Sequence, residues 1–222
     1  MDWVASLIRD ELLDVLVDEI DALPGDPFVR VAVDGVDGSG KSVLADELGA
    51  LLRARGRSVV RASVDGFHNP RAVRYARGRT SPEGFYRDSY DLGALVRELL
   101  APLGEGGSGL YRSTVFDLTT DVPAVALLEE AAPGTLLILD GIFLHRQELA
   151  PVWTWSVWLE VDRSVALARC VTRDGAGSSD PAAAANRRYV DGQELYRADA
   201  LPQERATHVI ENTDLAAPRL LR

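Results

Sequence analysis

The eight residues Gly35-Val36-Asp37-Gly38-Ser39-Gly40-Lys41-Ser42 constrain this chain more than any other stretch. They fit G-x-x-x-x-G-K-[ST], and their neighbours supply the context that pattern needs. Upstream, residues 28–33 read as a buried strand; downstream, residues 41–55 carry helical spacing that Gly56 stops. A strand entering such a loop and leaving as a helix makes an anion nest, because glycines let successive amides turn toward one point at a helix N-terminus. Lys41 is the only lysine among 24 cationic residues, so the other 23 are arginine. A compact ammonium reaches the β- and γ-phosphates in a space that a planar guanidinium does not fit. The Ser42 hydroxyl is then placed for Mg²⁺. The expected nucleotide contacts are Gly35, Val36, Asp37, Gly38, Ser39, Gly40, Lys41, Ser42 and Val43, with ATP and Mg²⁺ as cofactors. For Asp34 and Asp37, at and inside the loop, structural turn roles are expected.

Composition narrows what such a loop can serve. A net charge of −10 argues against nucleic acid as a partner, since phosphate contacts dominate that affinity. One cysteine, Cys170, excludes an intramolecular disulfide and two-cysteine zinc patterns. The N-terminal stretch is acidic and amphipathic, without the basic start of a signal peptide, and no apolar run approaches a membrane span. A cytoplasmic protein with no membrane partner is expected.

Along the chain, residues 2–23 set Val4, Leu7, Ile8, Leu12, Val15 and Leu16 at helical spacing before Pro24-Gly25. A strand at 58–64 ends at Asp65-Gly66. Periodicity then fails from Phe67 to Tyr90, where arginines and aromatics crowd; irregular segments of that length are functional or mobile. Beyond it the pattern predicts a helix at 91–101, a glycine-rich turn at 104–109, a strand at 111–116 and a helix at 122–132. An apolar run at 136–141 has the look of a central parallel strand. A strand at 155–161, a helix at 163–173, a flexible loop at 174–185, a helix at 186–199 and a last strand at 208–210 complete the chain. Strands alternating with helices imply an α/β fold, a mostly parallel sheet with helices on both faces. Residues 1–222 read as one domain.

Asp140 closes the apolar run and is the expected metal-linked acid beside Ser42. Asp65 ends the second strand, at the sheet edge that faces the phosphate loop. A carboxylate there can orient and deprotonate an attacking hydroxyl, although Asp-Gly is also a common turn pair. The single lysine removes the Asn-Lys-x-Asp motif of GTPases, and a His-Arg-Asp catalytic loop is missing. Phosphoryl transfer to a small acceptor remains, with a regulatory ATPase as the alternative from another class.

Several stretches occur in the order seen in the uridine kinase, pantothenate kinase and phosphoribulokinase superfamily. They are residues 35–42, Val64-Asp65-Gly66-Phe67-His68, Gly84-Phe85 with Ser89-Tyr90-Asp91, Leu139-Asp140-Gly141-Ile142-Phe143, and Arg169 with Arg173-Asp174. The chain resembles that superfamily from about residue 28 to 214, most closely its uridine kinase-like members. The segment after Asp65 and the stretch LPQERA are similar to pantothenate kinase. The resemblance implies a three-layer P-loop NTPase fold with an N-terminal helix within 1–27, an acceptor-binding insertion at 65–90 and a helical lid at 169–200. It implies Asp65 as the base, Asp140 as the metal-linked acid, and Arg169 and Arg173 as lid arginines. His68, Tyr86, Tyr90 and Tyr111 are candidate acceptor contacts, and Asn212 and Asp214 resemble a nucleotide-base edge. Uridine is the leading acceptor expected and pantothenate the next. The stretch Tyr111 to Phe116 departs from the uracil-reading pattern, placing Phe116, or Asp121 in another register, where a histidine belongs. The N-terminal helix is a candidate homodimer surface.

Overall fold

The computed structural model describes residues 5–6, 8–25 and 27–222, without the side chains of 5 and 6. In chain order, β1 (Ala5–Ser6) precedes α1 (Arg9–Asp21), β2 (Val29–Gly35), α2 (Lys41–Ala54) and β3 (Val59–Ser63). Two short helices, α3 (Arg71–Arg74) and α4 (Pro82–Asp88), lead to α5 (Leu92–Leu95), which runs on as a π turn through Val96–Leu100. Four two-residue strands follow: β4 (Leu110–Tyr111), β5 (Phe116–Asp117), β6 (Val122–Pro123) and β7 (Glu129–Glu130). The remainder is β8 (Leu136–Gly141), β9 (Trp155–Glu160), α6 (Arg163–Asp174), α7 (Arg187–Ala200), α8 (Pro202–Arg205), β10 (His208–Glu211) and β11 (Arg219–Leu220).

Seven strands form one sheet in the order β1-β11-β10-β9-β2-β8-β3, and the five from β10 to β3 are parallel. Because β3 lies beyond β8, the C-terminal edge opens where β2 meets its neighbours, the place where doubly wound sheets hold ligands. Register aligns that edge: Val33 and Ser63 both pair with Asp140, and Gly35 pairs with Leu159. β8 is buried along its whole length because helices cover both faces. On one face Leu12, Leu16 and Ile20 of α1 and Leu44, Leu48 and Leu52 of α2 pack on Val31, Val33 and Ile138. On the other, Phe85, Tyr86, Leu95, Phe143 and Tyr196 pack around Leu137, Leu139 and Trp158.

Several expectations need correction. The first helix starts at Arg9 rather than residue 2, since Ala5–Ser6 pairs with β11; Val4 and Leu7 lie outside the described residues. Its buried stripe is Leu12, Leu13, Leu16, Val17 and Ile20, which leaves Ile8 and Val15 exposed. Residues 111–116 do not form one strand, and 122–132 are not helical. The stretch folds instead as two antiparallel pairs, β4 with β7 and β5 with β6. The apolar residues that suggested a helix there stay in solvent, Val125 fully, so no buried face holds one. The segment 67–90 is ordered into α3 and α4, because α4 packs against α7 and Phe85 enters the core. His208–Glu211 is not the last strand, since β11 follows it.

Candidate active site

Gly40, at φ 94°, turns the chain into α2, and Gly38 sits at φ 75°, both in the region that favours glycine. A Cβ on Gly38 would lie 2.1 Å from the Ala166 carbonyl of α6, so the phosphate loop and α6 meet backbone to backbone. Lys41 is 8% exposed, and its ammonium donates to the Val36 carbonyl at 2.7 Å. Asn212 Nδ2 donates to the Ser39 carbonyl at 2.8 Å, which brings the expected nucleotide-base edge against the loop. Arg169 reaches the same junction, donating to the carbonyls of Gly38 (3.3 Å), Asn212 (3.1 Å) and Thr213 (2.7 Å). Its place is therefore a brace between two loops. Arg173, one turn on, forms a two-bond pair with Asp174 at the rim of the main cavity.

Asp140 Oδ2 accepts the Ser42 hydroxyl at 2.6 Å, which joins the two expected metal-site residues. Its Oδ1 has the Arg61 guanidinium 2.8 Å away, misaligned for a hydrogen bond, and is buried without a donor. A carboxylate beside a hydroxyl, with one oxygen ion-paired but accepting no hydrogen bond, fits a hydrated magnesium, which takes one or two protein oxygens and completes its shell with water and phosphate. No group of three or more histidine, cysteine or acidic side chains placed to hold a metal ion occurs among the described residues; a phosphate-bound magnesium needs none.

Asp65 lies in a short 3₁₀ turn, Val64–Phe67, whose start is capped by Ser63. The Tyr90 hydroxyl donates to Asp65 Oδ1 at 3.0 Å. Burial, then the Asp65 charge, raises the Tyr90 phenol well above its ordinary value, so it remains a donor. His68 Nδ1 lies 2.9 Å from the Asp65 carbonyl, and its ring packs on Tyr90 with centroids 4.5 Å apart. Burial lowers the His68 pKa and favours the neutral ring. Asp65, His68, Tyr90, Asp37 and Arg173 line one cavity of about 450 Å³, together with Cys170, Asn186 and Tyr189. Asp37 thus stands in the cavity wall and not merely in a turn. Its carboxyl is raised, first by burial, with Lys41 opposing and Asp65 reinforcing the shift.

Two expected acceptor contacts point elsewhere. Tyr86 is buried in the aromatic core and donates to Asp199 at 2.7 Å. Tyr111 bonds Glu129 at 3.3 Å, and burial with that carboxylate pushes its phenol up to about 12. Phe116 lines a second cavity of about 400 Å³, beyond His68, with Arg97 and Arg112. Asp121 is occupied by the Arg71 amide and the Arg74 guanidinium.

Asp34 has a structural role wider than a turn. It is fully buried and accepts from the amides of Gly35, Leu144 and His145, from the Tyr196 hydroxyl and from His145 Nδ1. The signal in the sequence is a carboxylate inside the apolar run Val31-Ala32-Val33-Asp34, which must be paired if it is buried. Arg61 beside Asp140 carries no comparable signal, because an arginine on an edge strand is ordinary.

Neither a scan against protein-family models nor a search of curated proteins returns a match. Solved structures do resemble the chain. A candidate uridine kinase from Bacillus stearothermophilus superposes with a TM-score of 0.71 at 23% identity, over 90% of this chain and 97% of its own. A candidate fructose transport system kinase from Silicibacter sp. TM1040 gives 0.67 at 26% identity, over 88% and 97%. Phosphoribulokinase from Rhodobacter spheroides gives 0.58 at 18% identity, over 83% of this chain and 70% of that one. Together with the phosphate loop and the parallel sheet that carries it, these likenesses give the chain the fold of the P-loop kinase superfamily of uridine kinase and phosphoribulokinase.

Proposed function

We propose that the chain is an ATP- and Mg²⁺-dependent kinase that transfers the γ-phosphoryl group to a primary hydroxyl of a small metabolite, with uridine or a related nucleoside the first acceptor to test. The observation that carries this reading is the shared cavity: Asp65, oriented by Tyr90, opens onto the same 450 Å³ space as Asp37 of the phosphate loop and Arg173. The loop amides and Lys41 hold the donor phosphates. Asp65 takes the proton of the acceptor hydroxyl as its oxygen bonds phosphorus and the bond to the leaving phosphate oxygen breaks. Arg173, freed from Asp174, turns inward to the transferring group. Ser42 and Asp140 would hold a magnesium ion, which would neutralise phosphate charge. Arg169 holds the base-binding loop against the phosphate loop.

A sugar or polyol acceptor is the second reading. Phe116, standing where a uracil-reading histidine belongs, lines a separate cavity, Asp121 in the other register is paired with Arg74, and the Silicibacter structure is associated with fructose transport.

The test is ADP release with ATP against uridine and other nucleosides, pantothenate, D-fructose and D-ribose. An acceptor-dependent rate supports the kinase; ADP release unchanged by every acceptor supports an ATPase. Asp65→Asn should lower transfer by about 10²–10⁴-fold while ATP still binds, and transfer at the normal rate would remove Asp65 as the base. No helix among the described residues is long and apolar enough to cross a membrane.

A further inference from the structure

Asp140 is buried, and among the described residues the only hydrogen-bond donor to its carboxylate is a neutral hydroxyl, that of Ser42. A buried carboxylate so placed is costly unless a cation stands beside it. Arg61 is that cation. β3 pairs with β8 so that Ser63 lies opposite Asp140 and Arg61 opposite Ile138, two residues earlier on each strand. The Arg61 Nη2 lies 2.8 Å from Asp140 Oδ1, without hydrogen-bond alignment. The rest of the group is pinned: Nε donates to Asp46 at 2.8 Å, and Nη1 donates to the carbonyls of Ala62 and Ile138. Asp46 follows Ser42 by one turn of α2. The guanidinium therefore joins the helix that carries the metal-site hydroxyl to the strand that carries the acid.

This fixed charge has two effects of opposite sign. It attracts the Asp140 carboxylate and holds it within reach of Ser42. It repels any cation that shares that carboxylate, and Lys41, buried at the start of α2, repels it further. Donor phosphates reverse the balance, because they bring several negative charges to the same place. We propose that Arg61 is a positioning residue of the magnesium site, which holds Asp140 ready in the metal-free protein and makes magnesium binding depend on the donor phosphates. This rests on the reading of Ser42 and Asp140 as that site and adds an order of binding to it: the metal enters with the nucleotide or after it.

The test measures Mg²⁺ affinity by calorimetry, alone and with ADP, in wild type, Arg61→Met and Arg61→Lys. Arg61→Met keeps the apolar stem and removes the charge. It should bind Mg²⁺ alone about 10-fold more tightly, the size of a unit charge acting on a divalent ion at close range in a water-like medium. Arg61→Lys, which restores the charge, should stay close to wild type. Thermal melting gives a second readout. Arg61→Met should melt below wild type in EDTA, because Asp140 loses its cation, and the gap should narrow with Mg²⁺ and ADP. An arginine with a purely structural role would leave that gap constant. A constant gap, or Mg²⁺ affinity in Arg61→Met equal to or below wild type, overturns the inference. Arg61→Gln carries the same expectations if Arg61→Met does not fold, and failure of both to fold in Mg²⁺ and ADP overturns it too. Wild-type ADP affinity that is indifferent to Mg²⁺ removes the magnesium site and this inference with it, whereas the kinase reading is decided separately, by acceptor-dependent ADP release.

Discussion

Replacing Gly38 by alanine tests whether the phosphate loop and α6 form one rigid unit. The new Cβ would sit 2.1 Å from the Ala166 oxygen, 2.9 Å from its carbonyl carbon and 3.0 Å from Cys170 Sγ, where ordinary contact begins near 3.4 Å. Two of these atoms are helix backbone, so relief requires moving the loop or lifting α6 by about an ångström. At φ 75° the alanine also pays about 1–2 kcal/mol for a left-handed conformation. Adding about 1–3 kcal/mol for overpacking gives roughly 3 kcal/mol in all. In a chain of this size that lowers the melting temperature by about 6–12 °C. Gly56→Ala is the control: it has φ 86° and nothing within 4 Å of its Cβ, so only the conformational part applies. Thermal melting and ATP titration of both variants decide the matter. Gly38→Ala should melt below Gly56→Ala and lose ATP affinity as the amides splay. If the two melt within about 1 °C of each other, the contact between loop and helix is not rigid and the reasoning fails.

Tyr196→Phe removes a buried hydroxyl that donates to Asp34 and accepts from the His145 amide; a loss of about 1.5–3 kcal/mol is expected, read as a melting temperature lower by about 5 °C. An unchanged melt would show that the Asp34 cluster does not hold α7. The pH dependence of stability carries the mark of Asp37. Its folded pKa lies above the ordinary carboxylate value of 3.8, so the folded state binds the proton more tightly than the unfolded one. That contribution is present below 3.8 and is lost as pH rises through the raised value. Asp37→Asn should therefore gain stability relative to wild type as pH rises across that window, and parallel curves would show that its carboxyl is not raised.

The phosphate loop and its flanking strand and helix were legible because they obey local rules. Loop, strand and helix adjoin in sequence, and a lone lysine in an arginine-only chain marks where shape matters as much as charge. Asp140 and Asp65 could be placed because strand ends in a parallel sheet share one edge. The placement of the expected acceptor contacts depends on long-range packing. Tyr86 and Tyr90 are four residues apart, yet Tyr86 on α4 bonds Asp199 of α7 in the aromatic core, while Tyr90, past the end of α4 and bridged to His68, lines the cavity. Residues 110–130 misled for a related reason. Their apolar residues suggest a helix face, but these residues pair as short strands and leave Val125 and Leu127 in water. Arg169 and Arg173 were correctly placed on one helix, but spacing could not tell that one braces carbonyls and the other stands at the rim.

α7 is fastened along its length, by Arg188 to the Arg79 carbonyl, by Gly192 against Phe85, by Tyr196 to Asp34 and by Arg197 to Glu160. α6 is fastened by Arg169 and by the Gly38 contact. Residues 175–186 join two fixed posts, contribute Ala176, Gly177, Ser178, Ala185 and Asn186 to the cavity wall, and begin with Gly175 and Gly177 at positive φ. Changing the length or glycine content of this strip would reshape one wall of the cavity while leaving in place the contacts that hold the helices on either side.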